Sequence, residues 1–166
     1  MVVRLLRGPF TVDEYYRLGE TGVLAPDDRV ELLDGEVVWM NPIGRRHAGI
    51  VARLQDRLQQ AVSQRAIVWV QNPIRLTRQA APQPDLCLLA PRRDFYCEGL
   101  PEAEHVFLVV EVADTTGEDD RKRKIPLYAR AGLPEAWIVD IDADRIEVYR
   151  QPGPDGYSFA GLRIQL

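Results

Sequence analysis

The run Val106-Phe107-Leu108-Val109-Val110-Glu111-Val112-Ala113 constrains this chain more than any other segment, because its apolar residues continue without the alternation of a strand that has one wet face. Such a run predicts a strand buried on both sides, and therefore a central sheet flanked by helices. It falls far short of the roughly 20 apolar residues a membrane span needs. The 166 residues, 46% hydrophobic and 28% charged, suffice for one domain with its own core, and two would be a tight fit. Lys+Arg of 21 against Asp+Glu of 25 gives a net charge of -4, which excludes a polybasic nucleic-acid binder. Any contact with phosphate must then come from a local patch.

Around this strand the remaining elements can be placed in order. Thr11 and Glu14 form a capping-box signature for a helix over 12–20. Asp34-Gly35 between two apolar runs, 30–33 and 36–40, is a hairpin signal. Ile50, Val51, Leu54, Leu58, Ala61 and Val62 recur at helical spacing and predict an amphipathic helix over 45–64, with His47 in its first turn. Strands are expected at 66–70, 74–77, 85–89 and 106–113, then a helix at 119–131 closed by Gly132 and Pro134. Further strands follow at 136–141, 145–149 and from Tyr157 onward. Because the strands come in runs, the expected fold is an α/β sandwich with a mixed sheet rather than a doubly wound one. The whole chain, 1–166, is expected to be a single domain, with an N-terminal helix and hairpin over 1–43, a core over 44–141 and terminal strands over 145–166. The first nine residues lack the pattern of a secretory leader, and the two cysteines, Cys87 and Cys97, lack zinc-ligand spacing. The expectation is a cytoplasmic protein with reduced thiols and no membrane association.

Three carboxylates sit among apolar neighbours where a charge needs a partner: Glu31 before the hairpin turn, Asp85 after Pro84, and Glu111 in the most apolar strand. Pro84 fixes the backbone and interrupts donor pairing, so Asp85 is held at a strand mouth. Two acids at neighbouring strand ends can supply oxygen ligands to Mg²⁺, which takes one or two carboxylates and keeps several waters. A cation then comes from Lys124 or Lys122 in the helix that follows. The bland alternatives are strand-end carboxylates paired with arginines, and a solvated face for the run Arg121-Lys122-Arg123-Lys124.

Taken together, Val30 to Val37, His47, Pro84-Asp85-Leu86, Val110 to Ala113, the trio Asp120, Lys124 and Tyr128, and Gly132 to Asp140 make the chain resemble the PD-(D/E)XK nuclease superfamily. More closely, it resembles the bacterial Uma-two branch of restriction endonuclease-like proteins. The resemblance implies that Asp85 and Glu111 hold Mg²⁺ or Mn²⁺, with the Val112 backbone carbonyl as a third ligand. It also implies a DNA phosphodiesterase acting as a homodimer. The superfamily's lysine, two residues after the glutamate, is here Ala113. The resemblance moves the amine to Lys124, whose four-residue spacing from Asp120 and Tyr128 puts all three on one helical face. Pro126 bears on its aim by starting the regular helix near residue 125. Asp114, where the family commonly has Ser, adds a negative charge near the site. Glu31 is expected as an outer or third acid. His47 is read as a proton shuttle or phosphate contact, or else as a structural histidine, and Tyr128 and Trp137 as packing aromatics. Relatives continue past Leu166, so part of the terminal sheet is expected to be missing.

Two functions compete on this sequence. One is a metal-dependent endonuclease, in which Asp85 and Glu111 hold the metal and Lys124 positions water. The other is a non-catalytic nucleic-acid or protein interaction module that keeps the fold, and Ala113, Pro126 and the acidic balance favour it.

Overall fold

In a computed structural model the described residues are 8–114 and 120–165, the last strand beyond residue 161 by its backbone alone. Most of the N-terminal stretch read for a leader, the first residue of the helix expected at 119–131, and Leu166 lie outside them.

Helix α1, Val12–Glu20, begins where the capping box places it, with Thr11 and Glu14 bonded reciprocally. Strands β1, Val30–Leu33, and β2, Glu36–Trp39, pair antiparallel as the hairpin. Both turn residues have positive φ, Asp34 at 48° and Gly35 at 81°. A Cβ on Gly35 would lie 2.6 Å from that of Pro9, so only glycine fits against the N-terminal segment. Val12, Tyr15 and Leu24 pack on Val30 and Leu32 as a small core of their own.

Helix α2, Arg45–Val62, is followed by β3, Ile67–Val70, β4, Leu86–Leu89, and β5, Val106–Ala113. A wide π-helical turn, Asp120–Lys124, runs into helix α3, Ile125–Arg130. The chain closes with β6, Glu135–Asp140, β7, Arg145–Gly153, and β8, Gly156–Gln165. The six strands β3 to β8 lie side by side in chain order. Only the β5–β6 pair, bridged by the π turn and α3, is parallel, so the sheet is mixed as expected. One face carries Val109, Ala113 and Ile138 against Leu127 and Tyr128 of α3 and Leu33 of the hairpin. The other carries Leu108, Val110 and Val112 against Val51, Leu54 and Leu58 of α2. β5 is therefore covered on both faces, which is what its unbroken apolar run required.

Residues 74–77 do not form the expected strand. Ile74 and Leu76 donate to the carbonyls of Pro82 and Ala80, closing a narrow loop with isolated bridges. Pro73, Pro82 and Pro84 supply no N–H, so no ladder can grow there.

The charge run 121–124 is not a uniformly solvated face either. Arg121 reaches the sheet and binds Glu147 through Nε and Nη2 at 2.9 Å each, and Asp140 at 2.6 Å. Burial would raise the Glu147 carboxyl, but the Arg121 guanidinium, the Tyr149 hydroxyl and Arg145 push it down to about 2. A carboxylate depressed by folding stabilises fully above its unfolded pKa and loses that contribution as pH falls toward the folded value. Urea unfolding of Glu147→Gln should thus show a smaller loss of stability than wild type between about pH 5 and about pH 2.5. Identical slopes for the two proteins would rule out this source of acid sensitivity.

Candidate active site

The pairing of β4 with β5 sets the site. Leu86 pairs with Val110, and one step further along the two strands Asp85 comes opposite Glu111 on the α3 face. Asp85 sits just before the ladder begins, and its side chain takes over as acceptor: Val112 N–H donates to Oδ2 at 2.8 Å, and Gln71 Nε2 to Oδ1 at 3.3 Å. His47, in the first turn of α2, places Nε2 3.1 Å from the same Oδ2. This bond to Asp85 holds the imidazole pKa above its ordinary value, against the opposing effect of burial. Its Nδ1 is buried and makes no hydrogen bond among the described residues.

Glu111 is only 2% exposed and Lys124 only 7%. The Lys124 amine lies 3.3 Å from Glu111 Oε1 and 3.1 Å from Glu31 Oε2. Glu31 also accepts from the Gln83 backbone N–H at 2.9 Å. The Tyr128 hydroxyl donates a short hydrogen bond to Glu111. Burial drives the Glu111 carboxyl well above the usual range, Lys124 opposes it, and Asp120, Asp85 and Glu31 add to the rise. Burial alone would lower the Lys124 ammonium, but Glu111, Glu31 and Asp120 outweigh it and keep it charged. The π turn makes this aim attainable: Pro126 cannot donate a backbone hydrogen bond, the turn before it is wide, and Lys124 becomes the N-cap of α3.

Glu31, His47, Gln83, Asp85, Glu111 and Lys124 line a cavity of about 350 Å³. From residues 12 to 162 the chain matches a family model, Uma2, described as "Putative restriction endonuclease". The chain belongs to this family. Among solved structures it is similar to "a putative nuclease belonging to DUF820" from Anabaena variabilis ATCC 29413. The TM-score is 0.68 at 16% identity, over 92% of this chain and 83% of that one, a likeness of fold. No curated protein matches it.

In this Uma2 chain Asp85, Glu111, Lys124, Glu31 and His47 converge on one cavity, and Asp114 lines it as well. Val112 meets Asp85 through its N–H. Tyr128, expected as a packing aromatic, is fully buried but also donates to Glu111. Gln71 was not anticipated; it turns toward Asp85 from a backbone of φ 49° just past β3. Asp120, noted only as part of the spaced trio, is buried in the same cavity wall.

The donor set was tested for a hard divalent cation. Among the described residues no three His, Cys, Asp or Glu side chains form a preassembled metal cluster. Mg²⁺ does not require one, since one or two carboxylates and several waters suffice. The lining has five carboxylates, Glu31, Asp85, Glu111, Asp114 and Asp120, against three permanent cations, Arg29, Arg123 and Lys124. An excess of negative charge around oxygen donors suits such a cation. No helix among the described residues is long and apolar enough to cross a membrane.

Proposed function

We propose that the protein is a metal-dependent endonuclease that hydrolyses DNA phosphodiester bonds at this cavity. One observation carries the reading: Asp85 and Glu111 stand opposite each other at adjoining strand ends, with a charged, buried Lys124 amine 3.3 Å from Glu111. Asp85 and Glu111 are the residues to hold Mg²⁺ or Mn²⁺, with the Val112 backbone beside them. Bound there, the cation supplies a Lewis acid for the scissile phosphate and lowers the pKa of a coordinated water. Lys124 is protonated, so it serves as a donor that orients water and stabilises developing negative charge, not as a base. Glu31 holds the same amine at 3.1 Å as a third, buried acid of the site. His47, held by Asp85, is placed to carry a proton or contact phosphate.

The test is calorimetric titration of Mn²⁺ into wild type and Asp85→Ala, run beside cleavage assays on plasmid and oligonucleotide DNA. We expect binding and cleavage in wild type and loss of both in the variant, with unfolding midpoints showing that the domain remains folded. Equal metal affinity in the two proteins would remove Asp85 from the ligand set. Metal binding without cleavage of any DNA would favour a non-catalytic module instead. A homodimer is the proposed working form, checked by light scattering at micromolar concentration, and the cytoplasm the proposed compartment, where Cys87 and the exposed Cys97, both free thiols, stay reduced.

A further inference from the structure

We infer that Tyr128 is a positioning residue for the metal: its hydroxyl takes up Glu111 Oε1, so that Oε2 is the oxygen left to face a cation. This rests on the nuclease reading above and adds how its ligand set is oriented.

A carboxylate oxygen has two lone pairs, and a buried carboxylate is held by whichever donors reach them. Glu111 Oε1 has both engaged, one by the Tyr128 hydroxyl and one by the Lys124 amine at 3.3 Å. Among the described residues Oε2 has only that same amine, at 3.5 Å, the outer limit of a hydrogen bond. Asp85 divides in the same way. Its Oδ2 accepts from the Val112 N–H at 2.8 Å and meets His47 Nε2 at 3.1 Å, while Oδ1 has Gln71 Nε2 at 3.3 Å. Each acid therefore has one oxygen committed to the protein and one with lone-pair capacity left. Both acids line the same cavity, where a cation can use that capacity.

Tyr128 can impose this division because it is held in place. It is fully buried, in the core cluster that also contains Leu33, Val109, Ala113 and Ile138. Lys124, the N-cap of α3, already has helical backbone angles, φ −76° and ψ −46°. The four-residue step from Lys124 to Tyr128 thus brings amine and hydroxyl to one face of the helix and onto one carboxylate. Burial and the charge of Glu111 both push the Tyr128 hydroxyl well above its ordinary pKa, so it stays protonated and donates.

A tyrosine that merely fills a core can satisfy its hydroxyl on the backbone. Tyr15, Tyr96 and Tyr157 do so, on the carbonyls of Val30, Ala90 and Leu133. Tyr128 instead donates to a buried carboxylate of the cavity lining. Without that hydroxyl, Glu111 is free to turn about its last torsion, which is broad, and Lys124 can take Oε2 in competition with a cation. Partners that orient a ligand from behind are typically worth about ten- to a hundredfold in metal affinity.

The experiment titrates Mn²⁺ calorimetrically into wild type, Tyr128→Phe and Val148→Ala, and follows plasmid cleavage by each over a range of Mn²⁺ concentrations. Phenylalanine keeps the buried ring and deletes the hydroxyl alone. Val148, buried in β7 and outside the cavity lining, is the control for a fold weakened away from the site. Tyr128→Phe should bind Mn²⁺ about ten- to a hundredfold more weakly than wild type. Its cleavage rate should recover nearly to that of wild type at saturating Mn²⁺, because the hydroxyl meets a ligand and no reacting atom. Val148→Ala should have a lower urea midpoint and unchanged Mn²⁺ affinity. Equal Mn²⁺ affinity in Tyr128→Phe and wild type would overturn this inference alone. So would an equal loss of affinity in Val148→Ala, or a cleavage defect in Tyr128→Phe that saturating Mn²⁺ does not repair. A silent titration of wild type, with no cleavage of DNA, would remove the nuclease reading and this inference with it.

Discussion

Lys124→Met should cost the fold about 3–5 kcal/mol and the nuclease activity roughly two to three orders of magnitude. Methionine keeps the unbranched apolar stem of lysine and deletes the terminal ammonium, with its charge and its donors. Glu31 and Glu111, which meet the amine at 3.1 and 3.3 Å, would remain buried without their shared cation. Their other donors, the Gln83 N–H and the Tyr128 hydroxyl, are neutral and cannot offset two negative charges. Glu111, already raised by burial, would rise further in the variant. A carboxyl whose folded pKa exceeds its unfolded one penalises the fold increasingly as pH climbs past the unfolded value, and little below it. The deficit should therefore be small near about pH 4.5 and large near about pH 8 in urea unfolding. Mn²⁺ should raise the midpoint of the variant more than that of wild type, because a divalent cation supplies the missing charge. A variant as stable as wild type at high pH would mean that Lys124 does not hold the two acids together.

The parts of this arrangement that were legible in the sequence are those fixed by strand periodicity. The unbroken run of β5 and the proline before Asp85 placed each acid on its strand, the family resemblance put the two in one site, and the pairing of Leu86 with Val110 brings them face to face. The four-residue spacing of Asp120, Lys124 and Tyr128 was also readable, although the first of these steps lies in a π turn. What the sequence concealed is mostly directional. Arg121 and Arg123 read only as members of a charge run, and the wide turn sends Arg121 to Glu147 and Arg123 to Glu36. Tyr128 is apolar in pattern, and nothing along the chain shows that its hydroxyl ends on a carboxylate. Gln71 reaches Asp85 through a left-handed backbone that a non-glycine residue rarely announces. The strand expected at 74–77 fails because the surrounding prolines act on hydrogen bonding, to which hydrophobic pattern is blind.

Glu111→Gln should separate function from stability in the opposite way. Wild type holds a carboxylate almost wholly out of water, with Asp85, Asp120 and Glu31 acting on it as like charges. Glutamine removes one negative charge from a lining that has an excess of them, while its amide oxygen can still accept from the Tyr128 hydroxyl. Lys124 keeps Glu31 as its counter-ion, so no buried cation is stranded. Stability near neutral pH should accordingly change by less than about 1 kcal/mol, or increase, since losing one of several repelling buried charges offsets the weaker hydrogen bond. Chemistry should not survive the change. An amide is a poor ligand for a hard cation beside Asp85, so Mn²⁺ affinity should collapse and DNA cleavage fall by at least about a thousandfold. Calorimetry, urea unfolding and cleavage measured on one preparation give all three results. Retained cleavage would remove Glu111 from the ligand set. A stability loss as large as that of Lys124→Met would mean that the carboxylate is needed chiefly as the lysine's structural partner, with the acids and the amine forming a buried ion cluster rather than a metal centre.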